Sequence, residues 1–314
     1  MSTDRAQFLA ERRKGIGSSD WAAILGIPGA FHTRLEVWQS KVGAVLDDDE
    51  TYQQARGNAL EPFVCRWFAK ETGNHVIHGD PIPEEAVDKK LPDWWRCQID
   101  AVALLGGRPI PVEAKTGRIF DKDKWGESGS DQVPMHYLVQ VMAQIAYLNA
   151  PYGYAAVDLG GELFRWYRIP RDQAVIDLML AEGAKFWQLV QDGTPPEPTT
   201  SSEANIVWAN HEPGEYLVAD GQIRALVRAI NEHKAEEKAH AELREKLELE
   251  LKKLTQDREG AKDQDGTVLY TWKTQESTRI DTAALKKLRP DVAAEFTKTS
   301  STRVLRVKDQ KEEA

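Results

Sequence analysis

The sequence predicts an α/β domain, with a mixed central sheet flanked by helices, followed by an α+β accessory region. Glycine pairs at 106–107 and 160–161 each separate two strand-like apolar runs, as in β-hairpins. Residues 134–149 open with proline and then space their apolar side chains at the helical period. Residues 192–205 are rich in Pro, Ser and Thr, which is typical of a linker.

These patterns divide the 314-residue chain into three segments. We predict an α/β domain, long enough to be a catalytic domain, over residues 1–193 and a linker over 194–214. An accessory region with a long helix and small strands is predicted over 215–314. No internal repeat is visible in the sequence.

The elements of the first segment follow from local signals. Ser19 or Asp20 is a suitable N-cap for a helix that begins at Trp21, and a further helix is predicted over residues 58–72. The run WRCQIDAVALLGGRPIPVEAK reads as two strands around the first glycine pair. After the second hairpin, a helix is predicted from about residue 171 to residue 191.

The accessory region is dominated by a long charged helix, predicted over residues 220–256. Four leucines recur along it at spacings of four, four and three, so one stripe of the helix is apolar. We expect this stripe to pack on the region's own strands, predicted near residues 270 and 305. An intermolecular coiled coil is the alternative, but the heptads are few. The leucines are Leu243, Leu247, Leu251 and Leu254.

Composition excludes several classes of protein. Hydrophobic residues make up 41% and charged residues 29% of the chain, and no run of eighteen apolar residues suggests a membrane span. The N-terminal MSTDRAQFLAERRKG has no apolar signal segment, and Cys65 and Cys97 form no CxxC pair. We therefore expect a cytoplasmic, reduced protein. The net charge of −9 argues against a surface covered in cations but leaves room for a local DNA-binding groove.

The first hairpin predicts a cluster of charged side chains. If Gly106-Gly107 is a two-residue loop, Leu105 faces Arg108, and paired residue numbers sum to 213, so Asp100 faces Glu113. Strand alternation then directs Lys115 to the same face as Glu113. Two carboxylates and an amine should therefore converge.

Facing carboxylates repel each other unless a cation or a shared proton lies between them. A divalent metal satisfies this requirement, and Mg²⁺ commonly uses only one or two carboxylates, with water and substrate phosphate as its other ligands. Such a site suits phosphodiester hydrolysis, in which Lys115 would orient the attacking water or stabilise the transition state. The alternative is an exposed hairpin with ordinary surface charges.

The order Asp100, then Glu113-Ala114-Lys115, resembles the PD-(D/E)XK nuclease motif, with Ile99 in place of its proline. Four further segments resemble the YqaJ viral recombinase family, relatives of lambda exonuclease. They are ERRKGIGSSDWAAILGI, GNALEPFVCRWFAKETG, VPMHYLVQVMAQIAYL and ELFRWYRIPRD. The resemblance covers about residues 5–193, so it identifies the first segment as a lambda-exonuclease-like nuclease domain.

The resemblance implies a 5′-to-3′ exonuclease that acts on double-stranded DNA ends. It implies one or two Mg²⁺ ions, with Mn²⁺ able to substitute, and a 3′ overhang left for a single-strand annealing protein. A toroidal homotrimer, encoded by a phage or prophage and acting in the bacterial cytoplasm, is also implied.

The resemblance also extends the candidate site. It implies that Glu61 and the backbone carbonyl of Ala114 join Asp100 and Glu113 as metal ligands, and that Gln140 lies near the scissile phosphate. A second group, Arg12 and Ser19, is implied to bind the terminal 5′ phosphate. Free N–H groups at a helix start and a bidentate guanidinium would suit that anion.

Two of these assignments have competitors in the sequence. Arg13 could replace Arg12 in the phosphate clamp, and Gln144 could replace Gln140, although spacing favours Arg12 and Gln140. At the level of function, the alternatives are a structure-specific or restriction-like endonuclease with the same metal centre, and a noncatalytic DNA-end binder that recruits a recombinase.

Overall fold

The chain divides into two compact units, Met1–Glu203 and Ala204–Ala314. The division falls inside the segment predicted to be a linker, part of which is helical, at Ser201–Val207. Residues described by this computed structural model are 10–44, 51–79, 82 and 84–308.

The first unit is built on one five-stranded sheet in which the strands lie in sequence order. Only β3 and β4 pair in parallel, and the other neighbours are antiparallel, so the sheet is mixed as predicted. The strands are β1 (Val76–His78), β2 (Ala101–Leu105), β3 (Arg108–Gly117), β4 (Tyr152–Leu159) and β5 (Leu163–Pro170).

Five helices accompany this sheet within the described part of the first unit. They are α1 (Trp21–Ile24), α2 (Arg34–Val42), α3 (Tyr52–Thr72), α4 (Met135–Tyr147) and α5 (Gln173–Gln191). Short 3₁₀ turns cover Ser18–Asp20, Glu84–Ala86 and Ile119–Lys124.

Helix α3 begins six residues earlier than the sequence analysis predicted. Thr51 and Gln54 form a capping box, each side chain accepting a hydrogen bond from the other residue's backbone N–H. Pro62 therefore lies inside the helix rather than near its start. The Thr-x-x-Gln signal is present in the sequence and could have been used.

Helices cover both faces of the sheet. On one face, α1, α4 and α5 enclose a core that contains Trp21, Ile145 and Phe186, with Val157 from β4. On the other face, α3 buries Val64 and Phe68 against β2 and β3. Each fully buried side chain of this size contributes roughly 1.5–3 kcal/mol. Trp95 also belongs to the first core and is 2% exposed.

The first hairpin has the predicted register. Leu105 pairs with Arg108, and Ala101 pairs with Val112, so every observed pair sums to 213. Both loop glycines have positive φ angles, +55° and +83°, which the primed hairpin turns require. The second hairpin also forms as predicted, with Leu159 paired to Leu163.

The second unit contains the predicted long helix and a smaller hairpin than expected. Its elements are α6 (Ser201–Val207), α7 (Gly221–Thr255), β6 (Gly260–Lys262), β7 (Val268–Thr271), α8 (Thr282–Leu288) and α9 (Pro290–Glu295). The strand predicted near residue 305 is wrong, because residues 301–308 are neither helix nor strand.

The expected packing of the leucine stripe is also wrong. Leu243, Leu247, Leu251 and Leu254 are 56%, 60%, 44% and 73% exposed. The hairpin is short and meets only the last turns of α7, where the Thr255 and Tyr270 hydroxyls lie 2.6 Å apart. None of the described helices combines the length and apolarity needed to cross a membrane.

Candidate active site

Asp100 and Glu113 form the centre of the site. Asp100 directly precedes β2, so the register of the hairpin places it opposite Glu113 on β3. Asp100 Oδ2 accepts a hydrogen bond from the Ala114 N–H at 2.9 Å. Burial, followed by the negative charge of Glu113, raises the pKa of Asp100 to about 8. Glu113 is thus close enough to oppose the ionisation of Asp100.

Glu113 is 2% exposed and is surrounded by donors. Lys115 Nζ lies 2.5 Å from Glu113 Oε1, and Gln140 Nε2 donates to the same oxygen at 2.6 Å. Burial acts to lower the pKa of Lys115, but the charges of Glu113 and Asp100 outweigh it and raise the pKa. Lys115 is therefore a cation held beside two carboxylates.

Both glutamines that competed in the sequence analysis contact Glu113. Gln140 and Gln144 lie one turn apart on α4, and Gln144 Nε2 donates to Glu113 Oε2. Gln144 also donates to the Gln98 carbonyl oxygen at 3.2 Å. The two amides hold both oxygens of Glu113, and the preference for Gln140 over Gln144 near the scissile phosphate stays a prediction.

Glu61 lies at the edge of this centre on α3. Its Oε1 is 3.0 Å from His78 Nε2, and its negative charge contributes to the raised pKa of Asp100. One turn along the helix, Cys65 is 1% exposed. Burial, then the charges of Asp100 and Glu61, raise the pKa of the Cys65 thiol to about 12. Sequence reasoning missed His78 and Cys65, although the i, i+4 spacing of Glu61 and Cys65 was available.

Tyr137 is a further residue that the sequence analysis missed. Lys115 Nζ lies 5.3 Å from the centre of its ring, a cation–π geometry, and Trp125 stacks on the ring at 5.3 Å. Tyr137 precedes Gln140 by three residues and Gln144 by seven, so all three lie along one stripe of α4. That spacing was the available signal.

The donor set at the centre fits a hard divalent cation. No three His, Cys, Asp or Glu side chains are gathered as a metal-holding group among the residues that the structure describes. A pair of carboxylates is nevertheless what Mg²⁺ commonly takes from a protein. The mutual repulsion of Asp100 and Glu113, seen in the raised pKa of Asp100, is what a bound cation would relieve. Metal ligation by Glu61 and by the Ala114 carbonyl stays a prediction.

The structure brings Arg12 and Ser19 together. Arg12 Nη2 lies 3.4 Å from Ser19 Oγ, and the Arg12 side chain is 47% exposed. Behind them, buried Asp20 pairs with Arg12 at 3.5 Å and with buried Lys41 at 2.6 Å. Lys41 also donates to the Arg12 carbonyl oxygen at 3.1 Å. This network holds Arg12 beside the Ser19 hydroxyl.

The helix start behind this pair is weaker than expected. Helix α1 has only four residues, Trp21–Ile24. Asp20 occupies its N-cap position, but the carboxylate accepts a hydrogen bond from the Gly17 N–H at 2.8 Å instead of capping the helix. Attraction for an anion therefore depends chiefly on Arg12. Arg13 instead places its guanidinium beside Gly43, the C-cap of α2.

Comparison with known proteins finds a family model that matches the segment holding these residues. Residues 7–150 match the family model described as the YqaJ-like viral recombinase domain. Over these residues the chain is similar to that family. The matched segment extends past both ends of the range from Arg12 to Gln144, so it contains every site residue described above. The predicted family is confirmed.

Full-length similarity extends beyond the YqaJ-like domain. The Bacillus subtilis (strain 168) protein named "Uncharacterized protein YqaJ" is 28% identical over 316 residues, covering 97% of this chain and 94% of that protein. Its similarity therefore includes the second unit.

Solved exonuclease structures are similar in fold at low scores. LHK-Exo in complex with dAMP is 17% identical with a TM-score of 0.46, covering 60% of this chain and 93% of that one. The alkaline exonuclease LHK-Exo from Laribacter hongkongensis gives 16% and 0.45, with the same coverages. A phage-related exonuclease from Haemophilus somnus 129PT gives 11% and 0.39, covering 57% and 96%.

Proposed function

We propose that the protein is a Mg²⁺-dependent 5′-to-3′ exonuclease that acts on double-stranded DNA ends and leaves 3′ overhangs for recombination. The observation that carries the proposal is the arrangement of Asp100, Glu113 and Lys115 inside a YqaJ-like domain. Two adjoining carboxylates and a fixed ammonium group provide the charges that phosphodiester hydrolysis requires.

Asp100 and Glu113 would hold the metal, which supplies an activated water and neutralises charge on the phosphate. Lys115 Nζ, already held by Glu113, stabilises the extra negative charge that develops on the phosphate oxygens. Gln140 and Gln144 keep both oxygens of Glu113 in one orientation. The buried surroundings strengthen each of these interactions.

Direction is proposed to come from the second group. Arg12 and Ser19 would bind the terminal 5′ phosphate, because an exposed guanidinium next to a hydroxyl gives charge-assisted hydrogen bonds to an anion. A chain that holds the 5′ terminus would cut from that end.

The remaining parts of the proposal rest on the family resemblance. We propose a homotrimer, a single-strand annealing protein as the partner that receives the 3′ overhang, and action in the cytoplasm of a bacterial host. Mn²⁺ is expected to replace Mg²⁺, because both accept oxygen ligands in octahedral geometry.

The experiment is digestion of linear duplex DNA labelled at either the 5′ or the 3′ end, with Mg²⁺ or with EDTA. We expect Mg²⁺-dependent release that starts at the 5′ end and is abolished in Lys115→Ala. Lys185→Ala is the matched control, since Lys185 lies exposed on α5, paired with Glu182.

Other outcomes separate the rival functions. Cleavage of covalently closed plasmid would show an endonuclease, because no DNA end is present. Binding of duplex ends without cleavage under any metal condition would show a noncatalytic recruiter and overturn the proposed chemistry.

A further inference from the structure

A shallow groove of about 370 Å³ adjoins the proposed centre on the side where β3 ends. Its walls are the first turns of α3, which contribute Gln53 and Arg56, and the segment from Gly117 to Phe120. This volume lies within the roughly 300–1,000 Å³ that ligand sites usually occupy. None of the residues that line the groove belongs to the carboxylate centre or to the Arg12–Ser19 pair described above.

The side chains of the groove combine positive charge with an exposed aromatic ring. Phe120 is 87% exposed, although burying a phenyl ring is normally favourable. Arg118 is 80% exposed and pairs with Asp121 at 3.3 Å, and a surface ion pair of this kind is weak enough for a phosphate to displace it. Lys124 holds the other oxygen of Asp121 at 2.8 Å, so that carboxylate stays neutralised when Arg118 turns away.

The wall that carries Phe120 is fixed by long-range hydrogen bonds. Arg165 Nη1 donates to the carbonyl oxygens of Lys122, Trp125 and Gly126, at 3.1, 2.8 and 3.0 Å. The Gly160 N–H donates to the Gly117 carbonyl oxygen at 2.9 Å. The segment between these anchors therefore presents its ring on a rigid support, as a stacking platform requires.

The groove begins at the end of β3, the strand that carries Glu113 and Lys115. Gly117 lies two residues beyond Lys115 on the same strand. Thr116, the residue between them, places its Oγ1 near Gly57 of α3. A nucleic-acid strand that passes the carboxylates and follows β3 would reach Gly117, at the edge of the groove, roughly 7 Å beyond Lys115, judged from a strand rise of roughly 3.3 Å per residue.

We propose that this groove binds a single-stranded segment of the DNA substrate, with a base stacked on Phe120 and phosphates held by Arg118 and Arg56. Stacking on a ring beside cations is how proteins bind single strands without reading their sequence. Inside a duplex the neighbouring base pairs cover each base face, so we take the occupant to be an unpaired stretch. The inference deepens the proposed exonuclease function and rests on it for the identity of the substrate.

The test measures binding of a short fluorescent oligothymidylate by anisotropy, in EDTA, at several salt concentrations. Phe120→Ala should weaken binding roughly five- to a hundredfold, the range for base–aromatic stacking, while Phe120→Trp should retain it. Phe120→Leu separates stacking from simple apolar contact and should behave like alanine.

The salt dependence distinguishes the two kinds of contact. Arg118→Ala should reduce the slope of log K against log salt by about 0.7, the value for one phosphate contact on a single strand, whereas Phe120→Ala should leave the slope unchanged. The control Lys185→Ala should alter neither affinity nor slope.

Two results would overturn the groove proposal: no binding of the oligonucleotide by the wild-type protein, or equal binding by wild type, Phe120→Ala and Arg118→Ala. Because EDTA removes catalysis, these results are independent of nuclease activity. Stacking-dependent binding by a protein that cleaves nothing with Mg²⁺ would support the groove and refute the exonuclease.

Discussion

The Asp100 carboxyl titrates far above its ordinary range, and this has a consequence for stability. Without metal, the raised pKa keeps the proton on Asp100 in the folded protein up to about pH 8, whereas the unfolded carboxyl loses it near its ordinary pKa of 3.8. Between these pH values the unfolded state binds fewer protons, so the contribution of Asp100 to stability falls as pH rises toward 8.

We therefore predict that Asp100→Asn unfolds at a higher temperature than wild type in EDTA at pH 8. The asparagine oxygen can still accept the Ala114 N–H, but the charge repulsion is gone. The difference between the two melting temperatures should shrink as pH is lowered from 8 toward 5. Differential scanning calorimetry across that range measures it.

Mg²⁺ supplies the control for this prediction. It should raise the melting temperature of wild type at pH 8 and have little effect on Asp100→Asn, because the variant lacks one of the two proposed ligands. A melting difference that is constant from pH 5 to pH 8 would contradict the raised pKa.

A second prediction at the residue scale concerns Arg12 and the 5′ phosphate at the DNA terminus. Arg12→Ala should slow digestion of 5′-phosphorylated duplex roughly tenfold or more, since a hydrogen bond to a charged group contributes about 1.5–3 kcal/mol. Digestion of 5′-hydroxyl duplex should change little. The ratio of the two initial rates is the measurement.

Arg13→Ala is the matched variant for this test. Its guanidinium packs beside Gly43, whereas the Arg12 guanidinium contacts Ser19, so the ratio of rates on phosphorylated and hydroxyl ends should stay as in wild type. A loss of phosphate preference in Arg13→Ala but not in Arg12→Ala would reverse the assignment.

At the scale of elements, α5 depends on close packing at Gly183. A methyl group at this position would lie 2.5 Å from Trp21 and 2.8 Å from Trp94. Alanine normally favours a helix over glycine by about 1 kcal/mol, but overpacking a core costs typically 1–3 kcal/mol. The steric cost should be the larger, because both neighbours are indole rings in the core.

We predict that Gly183→Ala lowers the free energy of unfolding, measured with urea. Gly221→Ala at the start of α7, where nothing lies within 4 Å of the added carbon, should leave it unchanged or raise it slightly. A stabilised Gly183→Ala variant would show that the indole rings move apart at little cost.

At the scale of the whole molecule, the first unit holds every residue assigned to the proposed reaction. A chain shortened to residues 1–207 keeps the five-stranded sheet, both cores and α6. We predict that it folds and retains Mg²⁺-dependent cleavage of duplex DNA, measured by circular dichroism and by digestion of end-labelled DNA. A folded but inactive shortened chain would show that the second unit contributes to catalysis.

Short-range sequence patterns were enough to predict the first hairpin, its charged residues and two of the helices. The glycine pair at 106–107 fixed the hairpin register, and that register placed Asp100, Glu113 and Lys115 together, because hairpin pairing depends only on residues close in the chain. The helices over Met135–Tyr147 and Gln173–Gln191 followed from apolar periodicity for the same reason.

Only the tertiary structure decided what meets this hairpin from elsewhere. Helices α3 and α4 pack on opposite faces of the sheet, which sets Glu61 beside His78 and places both Gln140 and Gln144 on Glu113. The leucine stripe of α7 is a second example. Its spacing predicts an apolar helix face but does not say which element covers that face, and these leucines are exposed. Periodicity is a property of one element, whereas contacts between elements depend on the packing of the whole unit.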